Sequence, residues 1–334
     1  MQLRPFGRTG LSISPLSLGT MEFGSKIADS EAAKIIDVAI AAGINCVDTA
    51  NVYAAGRSEE VLGRAIGSRR DSLILSTKFS VPTDSQDPNS GGTSRRTVIA
   101  ACEASLRRLD TDYLDIYYIH RPFTQTAIDE TLRALDDLVR AGKIRYIGTS
   151  GTSGWQLVDT LWAAKDLGLN RPVVEQTAYS LLDRRAERDL IPAALTHETA
   201  ITVWSPLVGG LLTGKYLDRH EVGGRLSPAD AWGAKHFTAQ ADAAVASLAE
   251  AARRQGCSLT ALSLAWTLQR AGITSLVVGP RSTEQLEGQL AALDLAVETE
   301  VLDLIDHVVP PGSVTVPYYL DDSFADFRPH PHRW

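Results

Sequence analysis

A carboxylate, a phenol, an amine and an imidazole stand at related places in the first 120 residues of this chain: Asp48, Tyr53, Lys78 and His120. Asp48, Lys78 and His120 each end a short apolar run (Ile44–Asp48, Leu73–Lys78, Leu114–His120), and Tyr53 follows the first of them. Such a set could complete hydride addition to a carbonyl, because the alkoxide that forms must take a proton. A phenol, with a pKa of about 10, is a weak acid at neutral pH. A close ammonium favours phenolate and so makes the phenol a better donor. A buried lysine needs a carboxylate beside it to stay charged, which gives Asp48 a task. An imidazole can donate to the carbonyl oxygen and orient it. Singly, each residue has an ordinary reading: a helix cap for Asp48, a solvated charge for Lys78, a satisfied core histidine for His120, a half-buried loop aromatic for Tyr53. Their joint placement at three consecutive run ends favours chemistry, provided the fold brings those ends together.

The elements that would do so are legible as a rhythm. Strand-like runs fall at Pro15–Gly19, Ile44–Asp48, Leu73–Lys78, Leu114–His120, Ile144–Ser150, Val173–Gln176, Ile201–Trp204 and Leu276–Gly279. They are apolar throughout, as in strands buried on both faces. Amphipathic helical stretches separate them: Glu31–Ala42, Glu59–Ile66, Thr97–Leu109, Ile128–Arg140, Gly154–Leu167, Ala186–Glu198, Ala241–Arg254 with Leu259–Gln269, and Thr283–Leu293. Gly43, Gly142, Gly168 and Gly272 stand where helices would stop. Eight such units predict an α/β fold, a single parallel (β/α)8 TIM barrel spanning residues 1–334. An open doubly wound sheet has the same alternation. Leu3–Ile13 reads as a short N-terminal hairpin closing the far end. Two long loops, 80–95 and 208–237, follow predicted strands and so belong to the active-site face; an aromatic tail occupies 309–334.

Composition narrows the classes. The 334 residues carry a net charge of −7, with 44% hydrophobic and 22% charged residues, so a folded protein is expected and a nucleic-acid surface is not. No apolar run reaches the length of a membrane span and the start lacks a signal-peptide core, so a cytoplasmic protein is expected. Cys46, Cys102 and Cys257 are too scattered for a disulfide framework or zinc cluster. His330-Pro331-His332 reads as a polar tail, and no metal site is expected. The expected partner is a small-molecule carbonyl substrate, and no oligomeric state is indicated.

Asp48-Thr49-Ala50 with Tyr53 and Glu59, Ser76-Thr77-Lys78, and Tyr118-Ile119-His120-Arg121-Pro122 resemble the tetrad segments of the aldo-keto reductase superfamily. The similarity extends along nearly the whole chain, through Gly19-Thr20, Ser105-Leu106-Arg107-Arg108-Leu109 and Gly142-Lys143-Ile144-Arg145-Tyr146-Ile147-Gly148. It implies Tyr53 as general acid, Lys78 and Asp48 as the groups that tune it, and His120 as the residue that positions the carbonyl. It also implies NADPH/NADP+ as cofactor, lying extended across the barrel mouth. No G-x-G occurs in the chain, so the Rossmann loop is absent. Ser150 and Gln176 resemble the carboxamide pair, and Trp204 resembles the aromatic that stacks on nicotinamide. Ser205, Pro206, Leu207, Gly209, Leu211 and Lys215 match the segment along the pyrophosphate. Gly279, Arg281, Ser282, Gln285 and Gln289 match the segment around the adenosine phosphate, and Gly19, Thr20 and Asp48 join the cofactor set. Arg281 and Ser282 at a helix start suit a 2′-phosphate, hence NADPH over NADH. Gly209 to Lys215 also fits most of a P-loop pattern, but Tyr216 replaces the magnesium-binding hydroxyl. Two departures stand out. Gly151 takes the place of the usual Asn after Ser150, and Gly288 and Gln289 replace the acidic and amide pair near adenine.

Two other functions remain open. Trp204-Ser205-Pro206-Leu207, Gly209-Gly210-Leu211-Leu212 and Gly279-Pro280-Arg281 resemble deoxysugar-pathway members, which implies a nucleotide-sugar enone or keto reductase. The β-subunits of potassium channels share the barrel, which implies a regulatory subunit. The retained His120 favours carbonyl over enone reduction. For the substrate, Thr83, Asp84, Ser85, Gln86 and Asn89 in the first loop are read as hydroxyl-bonding groups. Trp232 and Phe237 in the second loop and Tyr318, Tyr319, Phe324 and Phe327 in the tail are read as apolar walls, together suggesting a bulky, partly polar carbonyl compound.

Overall fold

The computed structural model describes residues 1–122, 125–217, 224–227 and 231–316, with the backbone alone at 231 and 232. The tail aromatics Tyr318, Tyr319, Phe324 and Phe327, the histidines His330 and His332, and the Trp232 side chain lie outside the described residues.

The chain opens with an antiparallel hairpin, β1 (Arg4–Pro5) and β2 (Ser12–Ile13). Eight strands follow: β3 (Leu16–Gly19), β4 (Cys46–Asp48), β5 (Ile74–Phe79), β6 (Leu114–Ile119), β7 (Ile144–Ser150), β8 (Val174–Ala178), β9 (Ala200–Trp204) and β10 (Ile273–Val278). Each pairs in parallel with the next, and β10 returns to β3, with Leu276 opposite Leu16. That last pairing closes the barrel and excludes the open sheet. The helices are α1 (Asp29–Ala41), α2 (Arg57–Ile66), α3 (Arg95–Leu109), α4 (Ile128–Arg140), α5 (Gly154–Asp166), α6 (Leu190–Thr196), α7 (Ala231–Ala234), α8 (Ala239–Arg254), α9 (Leu259–Leu268), α10 (Thr283–Leu290) and α11 (Thr299–Val308). In α4, Leu132, Leu135 and Leu138 recur every three residues and are all buried, each worth about 1.5–3 kcal/mol of burial.

Side chains along a strand alternate between its two faces, and that period organises the barrel. Val47, Leu75, Tyr117, Ile147 and Ile201 join the large core cluster with the helices. Their neighbours Cys46, Ile74, Ile116, Tyr118, Val174 and Ala200 form a separate buried cluster with Phe6 and Ile13 of the hairpin. This second cluster is the lower interior, with the hairpin as its plug. Arg4 fastens the hairpin, donating to the carbonyls of Leu268 and Ile273 at 3.0 and 3.1 Å. Two or four residues further along the inner register come Asp48, Ser76, Lys78, His120, Gln176 and Trp204. The inward face is therefore apolar below and polar above.

Candidate active site

Lys78 lies in the upper interior, with its side chain 1% exposed. An ammonium has three N–H donors, and all three are directed. One goes to Asp48 Oδ1, one to the carbonyl of Thr49 at 2.8 Å and one to the hydroxyl of Tyr53 at 3.5 Å. Burial alone would lower the Lys78 pKa, but the Asp48 carboxylate and the Tyr53 oxygen more than offset it, so the ammonium is held above its usual value. The second oxygen of Asp48 accepts from Ser76 Oγ at 2.7 Å and Gln176 Nε2 at 3.0 Å.

Tyr53 faces Lys78 because the turn after it is left-handed. Ala54 and Ala55 have φ of 49° and 54°, and Gly56 has 90°. Left-handed conformation costs an alanine about 1–2 kcal/mol. Ser80, Ser205 and Val208 also have positive φ, each shortly after a barrel strand. Strain gathered at the upper strand ends is the usual mark of a functional face.

The His120 ring meets that of Tyr53 edge-on, with centroids 5.7 Å apart. Burial, then the charges of Lys78 and Arg121, push the His120 pKa well below the imidazole range. A neutral imidazole at neutral pH follows, with one N–H to donate and one bare nitrogen; Nδ1 is buried without a hydrogen-bond partner.

Asp48, Tyr53 and His120 floor a cavity of about 360 Å³ lined also by Gly19, Thr20, Ser150, Gln176, Trp204 and Gly279, with Met21, Ile27, Val52 and Val81 as apolar wall. A second cavity of about 340 Å³ is lined by Pro206, Leu207, Gly209, Lys215, Arg281, Gln285, Gly288 and Gln289. Glu22, Ser205, Arg225, Val277 and Gly279 line both, so the two form one elongated cleft. Its middle follows a turn in which Gly209 (φ 63°) and Gly210 (φ 102°) adopt values that glycine alone takes cheaply. At its far end Ser282 caps α10, accepting from the Gln285 N–H, where helix amides and Arg281 favour an anion. Gln289 Oε1 is buried there without a partner. The cleft thus offers a polar reacting end, an aromatic wall at Trp204 and an anion-binding end.

Sequence reasoning and structure part at several places. Leu211 is buried in the core cluster and lines neither cavity. Glu59 sits behind β5, accepting from Thr77 at 2.6 Å and Arg108 at 2.6 Å. In the first loop only Val81 reaches the cavity; Asp84, Gln86, Asn89 and Ser90 bond within their own turns and are exposed or partly so. Phe237 packs edge-on against Tyr216, with centroids 5.4 Å apart, instead of facing the cleft. The ion pair of Glu22 and Arg225, at 3.2 Å, bridges the waist of the cleft and was not anticipated, because neither residue lies in a motif. Among the described residues no group of three metal-binding side chains occurs, and no helix is long and apolar enough to cross a membrane.

The family model described as the Aldo/keto reductase family matches residues 15–310. The chain belongs to the aldo/keto reductase family. It is 35% identical over 332 residues to the uncharacterized oxidoreductase YrpG of Bacillus subtilis, covering 96% of this chain and 99% of that one. It is also 35% identical to a probable voltage-gated potassium channel subunit beta of rice, Oryza sativa subsp. japonica, over 92% of this chain and 97% of that one. A protein of the same description from Arabidopsis thaliana is 34% identical over the same shares. Within this aldo/keto reductase, Gly151 stands at φ 70° and lines the first cavity, a conformation that suits glycine better than the asparagine common there.

Proposed function

We propose that this aldo/keto reductase reduces an aldehyde or ketone to an alcohol with NADPH, and that Tyr53 donates the proton. The observation that carries the reading is the meeting of Asp48, Tyr53 and His120 at the floor of one cavity, with Lys78 buried beneath and bonded to Asp48 and Tyr53. When bound, the reduced nicotinamide supplies the hydride. The chain's own residues do the rest. His120 donates its N–H to the carbonyl oxygen and orients it. The Tyr53 hydroxyl gives its proton to that oxygen as the C–O bond becomes single, and the Lys78 ammonium stabilises the phenolate left behind. Ser150, Gln176 and Trp204 hold the nicotinamide end. Ser205, Pro206, Leu207, Gly209 and Lys215 follow the pyrophosphate, and Arg281, Gln285 and Gln289 hold the adenosine phosphate end. The orphaned Oε1 of Gln289 suits an amino group on a base. Met21, Val52 and Val81 exclude water and favour a carbonyl with an apolar body.

The experiment incubates the protein with NADPH and a panel of aldehydes, ketones and enones, and repeats it with Tyr53→Phe. NADPH affinity of the variant should stay within about twofold while turnover falls about 100- to 10,000-fold. Near-normal turnover by Tyr53→Phe would remove Tyr53 from the acid role. The names of the rice and Arabidopsis relatives support a second reading, in which the barrel serves as a subunit beside a partner. A protein that binds NADPH yet turns over no carbonyl would favour that one.

A further inference from the structure

We propose that Ser76 is a positioning residue for this reaction: by occupying Oδ2 of Asp48 it sets how strongly that carboxylate holds Lys78, and through Lys78 how readily Tyr53 gives up its proton. The inference rests on the carbonyl-reductase reading above. It starts from the strand register. Ser76 is paired directly opposite Asp48 across β4 and β5, so both side chains share the inner face. Lys78 follows Ser76 by two residues on that face. The Ser76 hydroxyl has one proton and two acceptors in reach, Asp48 Oδ2 at 2.7 Å and the Val47 carbonyl at 3.3 Å. The shorter contact, to a charged oxygen, takes the proton. Both residues are buried, Ser76 at 1% and Asp48 at 2% exposure, so water cannot replace a lost donor.

Asp48 therefore divides its charge between Lys78 on one oxygen and two neutral donors, Ser76 and Gln176, on the other. Removing the hydroxyl returns that share of charge to the pull on Lys78. The ammonium then shifts toward Asp48, and its longest contact, 3.5 Å to the Tyr53 oxygen, weakens first. Tyr53 becomes a poorer acid.

The other titratable groups facing this cluster do not obscure the effect. Cys46 on β4 is pushed up to about 12 and Tyr118 on β6 well above the usual phenol value, both by burial first, while His120 lies well below its own. Arg121, beside His120, stays charged throughout.

The test is the pH profile of single-turnover NADPH oxidation, which reads the chemical step apart from product release. In Ser76→Ala the alkaline limb should move up by about half a unit to one unit. The rate below the limb should fall about three- to tenfold. NADPH affinity should stay within about twofold, since no cofactor contact is removed. Ser76→Thr keeps the hydroxyl and should restore the limb. Ser76→Cys, a weaker donor of similar size, should fall between. A lowered rate with the limb unmoved would show simple packing loss; it overturns the role of Ser76 and leaves the carbonyl reading intact. Absence of carbonyl turnover in the wild type overturns the carbonyl reading and this inference with it; full turnover in Tyr53→Phe removes Tyr53 from the acid role and overturns this inference alone.

Discussion

Asp48, the last residue of β4, and Glu175, the second of β8, are both buried carboxylates on barrel strands, one facing into the ring and the other outward from it. Asp48 meets a cation, Lys78, and two neutral donors. Glu175 meets neutral donors, the Thr152 amide at 3.0 Å and the Thr152 hydroxyl at 2.8 Å, which tie down the turn after β7. Burial pushes the Glu175 carboxyl up to about 7 despite those bonds. Its neighbour Gln176 points the other way and donates to Asp48. The difference teaches that burial makes a charge costly and that the partner decides its use. With a cation, the carboxylate holds a reactive ammonium in place; with neutral donors it braces a turn.

The largest effect should come from breaking the inner pair. Asp48→Asn leaves Lys78 buried without an anion. Turnover should fall about 100- to 10,000-fold, and unfolding free energy by about 3–5 kcal/mol, read by urea denaturation. A stability loss under about 1 kcal/mol would mean that Lys78 finds another partner or loses its proton cheaply. The double variant Asp48→Asn with Lys78→Met sharpens the point. It removes both charges, so most of the stability should return while turnover stays as low as in the single variant.

The outer carboxylate predicts a smaller effect with a definite sign. Glu175 is raised from an ordinary 4.5 to about 7, so between those values the folded chain holds a proton that the unfolded chain has lost. Its contribution is complete below about pH 4.5 and is lost as pH rises through about 7, a change of about 3 kcal/mol at most. Glu175→Gln should flatten that decline in a comparison of denaturation midpoints at pH 5 and pH 8, and leave the alkaline limb of turnover unchanged. Equal pH dependence in variant and wild type would return Glu175 to the ordinary carboxylate range.

The smallest effect belongs to a partly exposed charge. Arg281→Ala should weaken NADPH binding about ten- to a hundredfold in fluorescence titration. NADH binding and stability should hardly change. Equal affinity of the wild type for the two cofactors would break the assignment.

The sequence carried the barrel because eight apolar runs alternate with amphipathic stretches, and it carried the inner pair because Asp48 and Lys78 each end one of those runs. Strand limits were harder to read, because ladder partners set them. β5 continues past Lys78 since Phe79 pairs with Ile119, and β8 passes Gln176 since Ala178 pairs with Trp204. Helix α11 has no counterpart among the helical stretches read from the sequence, although Val301 and Ile305 are buried on one face of it. Contacts made between distant loops left no periodic trace, and neither Glu22 with Arg225 nor the inward aim of Ser76 could be read without the register.

The hairpin has a consequence for traffic. Phe6 and Ile13 stop the lower mouth, so among the described residues Tyr53 is reached from the upper cavity that the proposed carbonyl would enter. While that cavity is filled, a phenolate cannot be recharged from below. On the proposed reading, each filling of the cleft would then deliver one proton from Tyr53, and the next would wait until the cleft opens again.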